Sequence, residues 1–199
     1  MAPDRLIIFV KAPRLGTVKT RLAQGIGSEA AAAAYCTLVE TLLQNLATLP
    51  EVELRCAPDD GAGEIEPWRR THWRVRPQGH GDLGERLAGA FADAFAGGAQ
   101  RVVIIGSDCP RVTAQDIADA WTALGRQEVV LGPATDGGYW LIGLRSPQLA
   151  LFQEIHWSTD AVFRETKARA CAAKLSVHLL RELSDVDTES DWQEYLASR

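Results

Sequence analysis

The sequence predicts an α/β fold in which a largely parallel sheet lies buried between layers of helices. Short apolar runs alternate along the chain with helical patterns, which is typical of this class. Most of the runs are apolar on both faces, as strands covered by helices on both sides must be. With 199 residues, 46% of them hydrophobic, we expect one compact domain over residues 1–199.

Six of the apolar runs are predicted to form strands. They cover residues 6–10, 52–56, 102–105, 129–131, 139–144 and 176–180. Their lengths suit strands better than helices, which need about ten residues or more.

Helices are predicted between these strands. Apolar residues recur at i, i+3 and i+4 spacing over residues 35–46 and again over 83–95, as on one face of a helix. Further helices are expected to start at Thr113, with Asp116 three residues later, and at Thr188, with Asp191. Ser158 or Thr159 offers a similar start for a helix that runs through Ala173.

The charge distribution is uneven. The chain has 21 Lys+Arg against 26 Asp+Glu and a net charge of −5, which argues against a general nucleic-acid binder. Residues 1–24 nevertheless carry a local +4. The cations there are Arg5, Lys11, Arg14, Lys19 and Arg21, against Asp4 alone.

The cysteines and the N-terminal segment exclude several classes of protein. Cys36, Cys56, Cys109 and Cys171 form no CxxC pair and no Cys/His cluster, so neither a disulfide framework nor a zinc site is indicated. The first apolar run is shorter than a signal-peptide core or a membrane span. We therefore expect a cytoplasmic protein without a membrane span.

The first segment that carries chemistry is residues 9–22, which follow the first strand. In an open α/β sheet this is the carboxyl end of a strand, where ligands bind. A loop with Pro13, Gly16 and several cations that leads into a helix offers backbone N–H groups and positive charge to phosphates. It is not a Walker A loop, because the spacing of Gly16 and Lys19 does not fit that frame. The alternative is a solvated basic loop.

A second segment, residues 105–110, also follows a buried strand. Asp108 there is placed to give an oxygen ligand to a hard cation such as Mg²⁺. The alternative is an aspartate that accepts backbone hydrogen bonds in a tight turn.

Two further segments follow predicted strands. In residues 132–140, Gly137 and Gly138 allow a ligand to approach the backbone closely, the alternative being a plain Asp-Gly hairpin turn. Residues 182–194 contain six acids and no base. A carboxylate there could share a metal with Asp108, whereas the simpler interpretation assigns Asp185, Thr188 and Asp191 to helix capping.

Taken in order, these segments resemble the radical-SAM/selenodomain-associated transferases, a branch of the nucleotide-diphospho-sugar transferase (GT-A) superfamily, over nearly the whole chain. The resemblance is carried by residues 11–13 and 18–22, 106–110, 132–133 and 136–139, 157–159 and 185–188. The chain is more distantly similar to phospholactate guanylyltransferase and molybdenum-cofactor guanylyltransferase, whose first loop is richer in glycine. Here Ala12 and Pro13 stand in that turn, so the nucleotide base stays open.

The resemblance implies a three-layer α/β/α sandwich of the GT-A, Rossmann-like type, and it implies roles for particular residues. By this resemblance, the nucleotide would be bound by Lys11, Pro13, Gly16, Lys19 and Arg21. Catalysis would depend on Lys19, Arg21 and Asp108. The metal, Mg²⁺ or Mn²⁺, would be bound by Asp108 and Asp187. The acceptor substrate would be bound by Asp136, Gly137, Gly138, Tyr139, Trp157, Ser158 and Thr159.

The function implied is a metal-dependent nucleotidyltransferase. It would couple a nucleoside triphosphate to a small, phosphorylated acceptor and release pyrophosphate. One alternative is a glycosyltransferase that uses a nucleotide sugar, and another is a nucleotide-binding protein without turnover. The oligomeric state stays open, a homodimer included.

Overall fold

A seven-stranded sheet forms the centre of the protein, whose computed structural model describes residues 4–198. The strand order is β3-β2-β1-β4-β6-β5-β7. The strands are β1 (Arg5–Lys11), β2 (Val52–Ala57), β3 (Arg74–Pro77), β4 (Val102–Gly106), β5 (Val129–Pro133), β6 (Tyr139–Leu144) and β7 (Val177–Leu179). All six predicted strands are confirmed.

The sheet is parallel except at β6, which pairs antiparallel with both β4 and β5. Because β6 is reversed, β5 on its far side runs in the same direction as β1 and β4, and β7 pairs parallel with β5. The carboxyl ends of β1, β4, β5 and β7 therefore lie at one edge of the sheet, where ligands bind in folds of this kind.

Within residues 4–198, seven helices accompany the sheet. They are α1 (Thr20–Ile26), α2 (Ser28–Asn45), α3 (Ala62–Ile65), α4 (Leu83–Ala96), α5 (Ala114–Leu124), α6 (Val162–Ala172) and α7 (Glu189–Ala197), with short 3₁₀ turns at Asp59–Gly61, Glu66–Trp68 and Leu149–Phe152. Capping boxes start α5 and α7, formed by Thr113 with Asp116 and by Thr188 with Asp191, as predicted.

Each face of the sheet has its own apolar core. On one face Leu6, Ile8 and Val10 of β1 pack with residues of α2 and α5. On the other, Ile7 and Phe9 of the same strand pack with residues of α4 and α6. The alternation along β1 is that of a strand covered on both sides, and the three-layer α/β fold predicted from the sequence is confirmed.

The structure differs from the prediction at strand β3 and at the start of helix α6. Strand β3 was not predicted, because it is an edge strand whose Arg74 and Arg76 are exposed and which lacks an apolar run. Helix α6 starts at Val162, so the predicted start at Ser158 or Thr159 is wrong. Ser158 has a φ of 64°, and the Thr159 hydroxyl donates to the carbonyl of His156 rather than capping the helix.

Among residues 4–198, no helix has both the length and the apolar character needed to cross a membrane.

Candidate active site

A buried lysine lies at the carboxyl edge of the sheet. Lys19 stands between the loop after β1 and helix α1, in the left-handed backbone region with φ 47° and ψ 47°. Its side chain is only 2% exposed, and its ammonium forms ion pairs with both Asp108 and Asp187, the second at 2.9 Å from Oδ1. One cation thus holds two carboxylates that come from distant parts of the chain.

The electrostatics of this group favour the charged forms. Burial by itself would lower the pKa of the Lys19 ammonium, but the charges of Asp108 and Asp187 outweigh burial and hold that pKa above its usual value. A second cation, the exposed guanidinium of Arg21, lies 3.7 Å from Oδ2 of Asp187. The structure therefore brings together Lys19, Arg21, Asp108 and Asp187, to which the family resemblance gave roles in nucleotide binding, catalysis and metal binding.

A buried tyrosine connects the end of β1 to the backbone next to Asp108. The hydroxyl of Tyr35, on α2, accepts from the backbone N–H of Lys11 at 2.7 Å and lies 3.2 Å from the Lys11 carbonyl. The same hydroxyl lies 3.1 Å from Oγ of Ser107, the residue before Asp108. Tyr35 thereby joins the ends of β1 and β4, and burial raises the pKa of its hydroxyl.

The loop that carries Asp187 is held by two sets of hydrogen bonds. The N–H of Val186 donates to the carbonyl of Asp108 at 3.1 Å, which attaches the loop to the end of β4. Oδ2 of Asp191 accepts from the N–H groups of Asp187 at 3.0 Å and of Thr188 at 2.8 Å. The capping box of α7 therefore also sets the position of Asp187.

Asp185, which the sequence left open between metal binding and helix capping, lies among these groups. Burial, followed by the charges of Asp108 and Asp187, raises its pKa to about 7. Capping of α7 is carried out by Thr188 and Asp191 instead. The signal that could have marked Asp185 is its position in the loop after the last predicted strand, two residues before Asp187.

Three cavities surround this group, and Asp185 lines all of them. The aspartate cavity, of about 250 Å³, is lined by Arg21, Arg111, Thr135, Asp136, Ser184, Asp185, Val186, Asp187, Thr188, Asp191 and Glu194. The apolar cavity, of about 220 Å³, is lined by Phe9, Gln78, Leu83, Ile104, Ile105, Gly106, Asp108, Cys109, Tyr139, Trp140 and Asp185. The tryptophan cavity, of about 520 Å³, is lined by Arg21, Leu83, Asp136, Gly138, Tyr139, Trp157, Ser158, Thr159, Asp160, Val162, Asp185 and Asp187.

The residues predicted for the acceptor side gather at the tryptophan cavity. Of the seven, all but Gly137 line it. Gly137 lies just behind, with a φ of 89°, where a Cβ would come within 2.3–2.7 Å of the backbone of Asp160. Only glycine suits that conformation and that contact.

Other predicted residues of the first loop lie apart from these cavities. Lys11, Pro13 and Gly16 line none of the three, and Lys11 and Gly16 are exposed. Arg14, a cation of the same loop, is paired with Glu64 at 2.6 Å and Asp60 at 3.0 Å. Their roles in binding a nucleotide remain predictions.

The oxygen donors fit a hard divalent cation. Asp108 and Asp187 already share one positive charge, that of Lys19, and carboxylates are the ligands that Mg²⁺ and Mn²⁺ take in proteins. No group of three or more His, Cys, Asp or Glu side chains within residues 4–198 is arranged to hold a metal by itself. Mg²⁺ is commonly held by one or two carboxylates together with substrate phosphates and water.

Comparison with protein families gives one match. Residues 41–159 match the model of a family described as an uncharacterized protein conserved in bacteria, DUF2064. None of the curated proteins is similar enough in sequence to count as a match.

Several solved structures have the same fold. One is a crystal structure from Desulfovibrio desulfuricans G20 described as a candidate nucleotide-diphospho-sugar transferase. It is 35% identical over 94% of this chain and 84% of its own, with a TM-score of 0.88.

Two more distant structures share the fold alone. CMP:2-keto-3-deoxy-manno-octonic acid synthetase, solved with CTP, is 10% identical over 99% of this chain and 98% of its own, with a TM-score of 0.63. Rv0371c of Mycobacterium tuberculosis H37Rv, solved with manganese, is 14% identical over 98% of this chain and 99% of its own, with a TM-score of 0.57.

Proposed function

Since the chain belongs to the DUF2064 family of bacterial proteins, and has the fold of a nucleotide-diphospho-sugar transferase, we propose that it is a metal-dependent transferase with a nucleotide donor. Within that class we propose a nucleotidyltransferase, which joins the nucleotidyl group of a nucleoside triphosphate to a small acceptor and releases pyrophosphate. We also propose that residues 1–199 act as one domain of this type.

The observation that carries the proposal is the contact of Lys19 with Asp108 and Asp187. Two carboxylates and a buried ammonium meet at the carboxyl edge of the sheet, beside Arg21 and next to the tryptophan cavity, which is of small-molecule size. Phosphoryl chemistry needs this combination, because catalysis rests mainly on positioning and on neutralising phosphate charge.

Roles follow from position. Lys19 and Arg21 would hold the donor phosphates by charge-assisted hydrogen bonds. Asp108 and Asp187 would hold Mg²⁺ or Mn²⁺, and a metal bound there would neutralise charge on the phosphate and on the leaving pyrophosphate. The acceptor would enter the tryptophan cavity, whose lining includes both Arg21 and Asp187. Its hydroxyl or phosphate oxygen would then attack the α-phosphorus in line.

The experiment that tests the proposal is a panel of nucleoside triphosphates incubated with the protein, Mn²⁺ or Mg²⁺ and mixed small acceptors. We expect metal-dependent release of pyrophosphate, detected as phosphate after treatment with pyrophosphatase, from at least one nucleotide. The Asp108→Asn variant should lose it, and Asp119→Asn, on the exposed face of α5, should retain it.

A glycosyltransferase is the second candidate, favoured by the relative from Desulfovibrio desulfuricans G20, at 35% identity. Release of a nucleoside diphosphate from a nucleotide sugar, with no pyrophosphate from any triphosphate, would establish it instead. Tight nucleotide binding with neither product would indicate a binding protein without turnover.

A further inference from the structure

We propose that the acceptor is an uncharged, hydroxyl-rich molecule, such as a sugar or another polyol, and not a phosphorylated one. This inference rests on the proposed function and concerns the tryptophan cavity. It departs from the phosphorylated acceptor that the sequence led us to expect.

The charges around the cavity are the first argument. Among the described residues that line it, Arg21 is the single cation, and Asp136, Asp160, Asp185 and Asp187 are acids. Arg21 lies 3.7 Å from Asp187 and is assigned to the donor phosphates. A phosphorylated acceptor would bring a charge of about −1.5 to −2 beside the carboxylates of Asp136 and Asp160, neither of which is paired with a cation in the described part of the chain, and this is unfavourable.

The second argument is Trp157, which lines the same cavity. The indole of Trp157 packs on Gly84 of α4, where a Cβ would come within 2.7–2.8 Å of the ring. The ring is therefore held in a fixed place by a residue without a side chain. A fixed indole presents an amphipathic face, which suits the apolar C–H surface of a polyol or sugar ring.

The polar groups beside this wall are suited to bind hydroxyls. Oδ1 of Asp136 accepts from the N–H of Gly138 at 2.9 Å, which fixes this carboxylate at the tip of the β5–β6 turn. A carboxylate only accepts hydrogen bonds, at about four lone-pair sites, so its natural partner here is a hydroxyl donor. The Thr159 hydroxyl donates to the carbonyl of His156 at 2.7 Å and accepts from the N–H of Ala161 at 3.3 Å, which leaves one of its two lone pairs for a ligand.

Size permits a small molecule of this kind. The cavity volume of about 520 Å³ falls within the range of about 300–1,000 Å³ that is usual for small-molecule sites. The indole ring of Trp157, the carboxylates that accept hydrogen bonds and the cavity volume all suit an uncharged, hydroxyl-rich molecule.

The test compares pairs of acceptors that differ only by a phosphate, namely glucose with glucose 6-phosphate and glycerol with glycerol 3-phosphate. Each is titrated into the full chain with Mn²⁺ and the nucleotide that binds most tightly, and product release is measured. We expect the uncharged member of at least one pair to stimulate release about tenfold more than its phosphate. Equal or greater stimulation by the phosphates, or none by any of the four, overturns the inference.

Nucleotide binding, measured in the same samples by calorimetry, distinguishes a failure of the acceptor inference from a failure of the proposed function. Binding that requires Mn²⁺, with a preference for phosphorylated acceptors, would sink the inference and leave the proposed function standing. An absence of nucleotide binding would remove both.

Variants give an independent check. Asp136→Asn keeps an oxygen for the N–H of Gly138 and removes the charge, and Asp160→Asn alters an exposed side chain. Each should raise the KM for the uncharged acceptor about five- to tenfold and leave the Kd of the nucleotide unchanged, whereas Asp119→Asn should alter neither. Unchanged KM values in both cavity variants would contradict the inference.

Discussion

The ammonium of Lys19 donates to Oδ1 of Asp187 at 2.9 Å, across a separation of 168 positions in the chain. The same ammonium is paired with Asp108, and the side chain is buried. A lysine predicted to bind phosphate thus rests on the two carboxylates predicted to bind metal. The two predicted functions meet at one atom, and this contact leads to the first prediction.

Replacing Lys19 by Met should move two affinities in opposite directions. Affinity for a nucleoside triphosphate should fall, since a charge-assisted phosphate contact contributes roughly 1.5–3 kcal/mol. Affinity for free Mn²⁺ should rise several-fold, because the two carboxylates lose their internal cation. Calorimetry with each ligand measures both. Lys167→Met, at an exposed position of α6, is the control, and a variant whose triphosphate affinity stays the same would place the phosphates elsewhere.

Asp108→Asn should weaken Mn²⁺ binding by about tenfold or more, because it removes one of two charged ligands. Electron paramagnetic resonance of free Mn²⁺ reports the affinity directly and does not depend on turnover. Asp119→Asn should bind Mn²⁺ as the parent protein does. If Asp108→Asn binds both Mn²⁺ and nucleotide normally, the metal assignment of Asp108 is wrong.

Tyr35→Phe should destabilise the protein by about 1–3 kcal/mol, because the backbone N–H of Lys11 and the buried hydroxyl of Ser107 lose their partner. Urea denaturation measures the free energy of unfolding. Thr37→Ala removes a hydroxyl from a more exposed position of α2, where it donates only to the carbonyl of Ala33, and should cost less than about 0.5 kcal/mol. Equal costs for the two variants would show that Tyr35 does not hold the strand ends together.

The ion pair of Asp116 with Arg181 predicts a pH dependence of stability. Burial would raise the pKa of Asp116, but hydrogen bonds from Arg181, at 2.7 and 2.8 Å, and from Thr113 hold it below its usual value. A carboxyl with a lowered pKa stabilises the fold above the unfolded pKa, about 3.9, and this contribution is lost as the pH falls through the folded value.

The comparison of the parent protein with Asp116→Asn measures that contribution. The parent should be more stable by about 1 kcal/mol between pH 5 and 7, a modest figure because Arg181 is half exposed. The difference should shrink below about pH 4. Urea denaturation at several pH values tests this, and a difference that stays constant down to pH 3 would contradict it.

Much of the fold follows from local patterns in the sequence. Continuous apolar runs predicted the buried strands, and the capping residues Thr113 and Thr188 predicted two helix starts. Strand β3 was not predicted, because its exposed arginines give no apolar pattern and it forms only by pairing with β2. The start of α6 was misplaced because Thr159 bonds backward to His156, a choice that spacing does not reveal.

The residues of the candidate site could be predicted from the sequence, but their contacts with one another could not. Position after a strand singled out Asp108 and the segments that contain Lys19 and Asp187, and the family resemblance then named those two residues. The ion pairs of Lys19 were beyond sequence reasoning, since they depend on how the ends of β1 and β4 and the loop after β7 meet in space. The burial of Asp185 was missed for the same reason.

The buried ammonium gives the protein an internal counter-ion for its acidic centre. Because Lys19 already offsets the repulsion between Asp108 and Asp187, we expect the chain to fold without a divalent ion. To admit a metal, the carboxylates must give up the lysine, and the lysine then needs another anion. Triphosphate supplies one, so metal and nucleotide should enter as a single complex, each making room for the other.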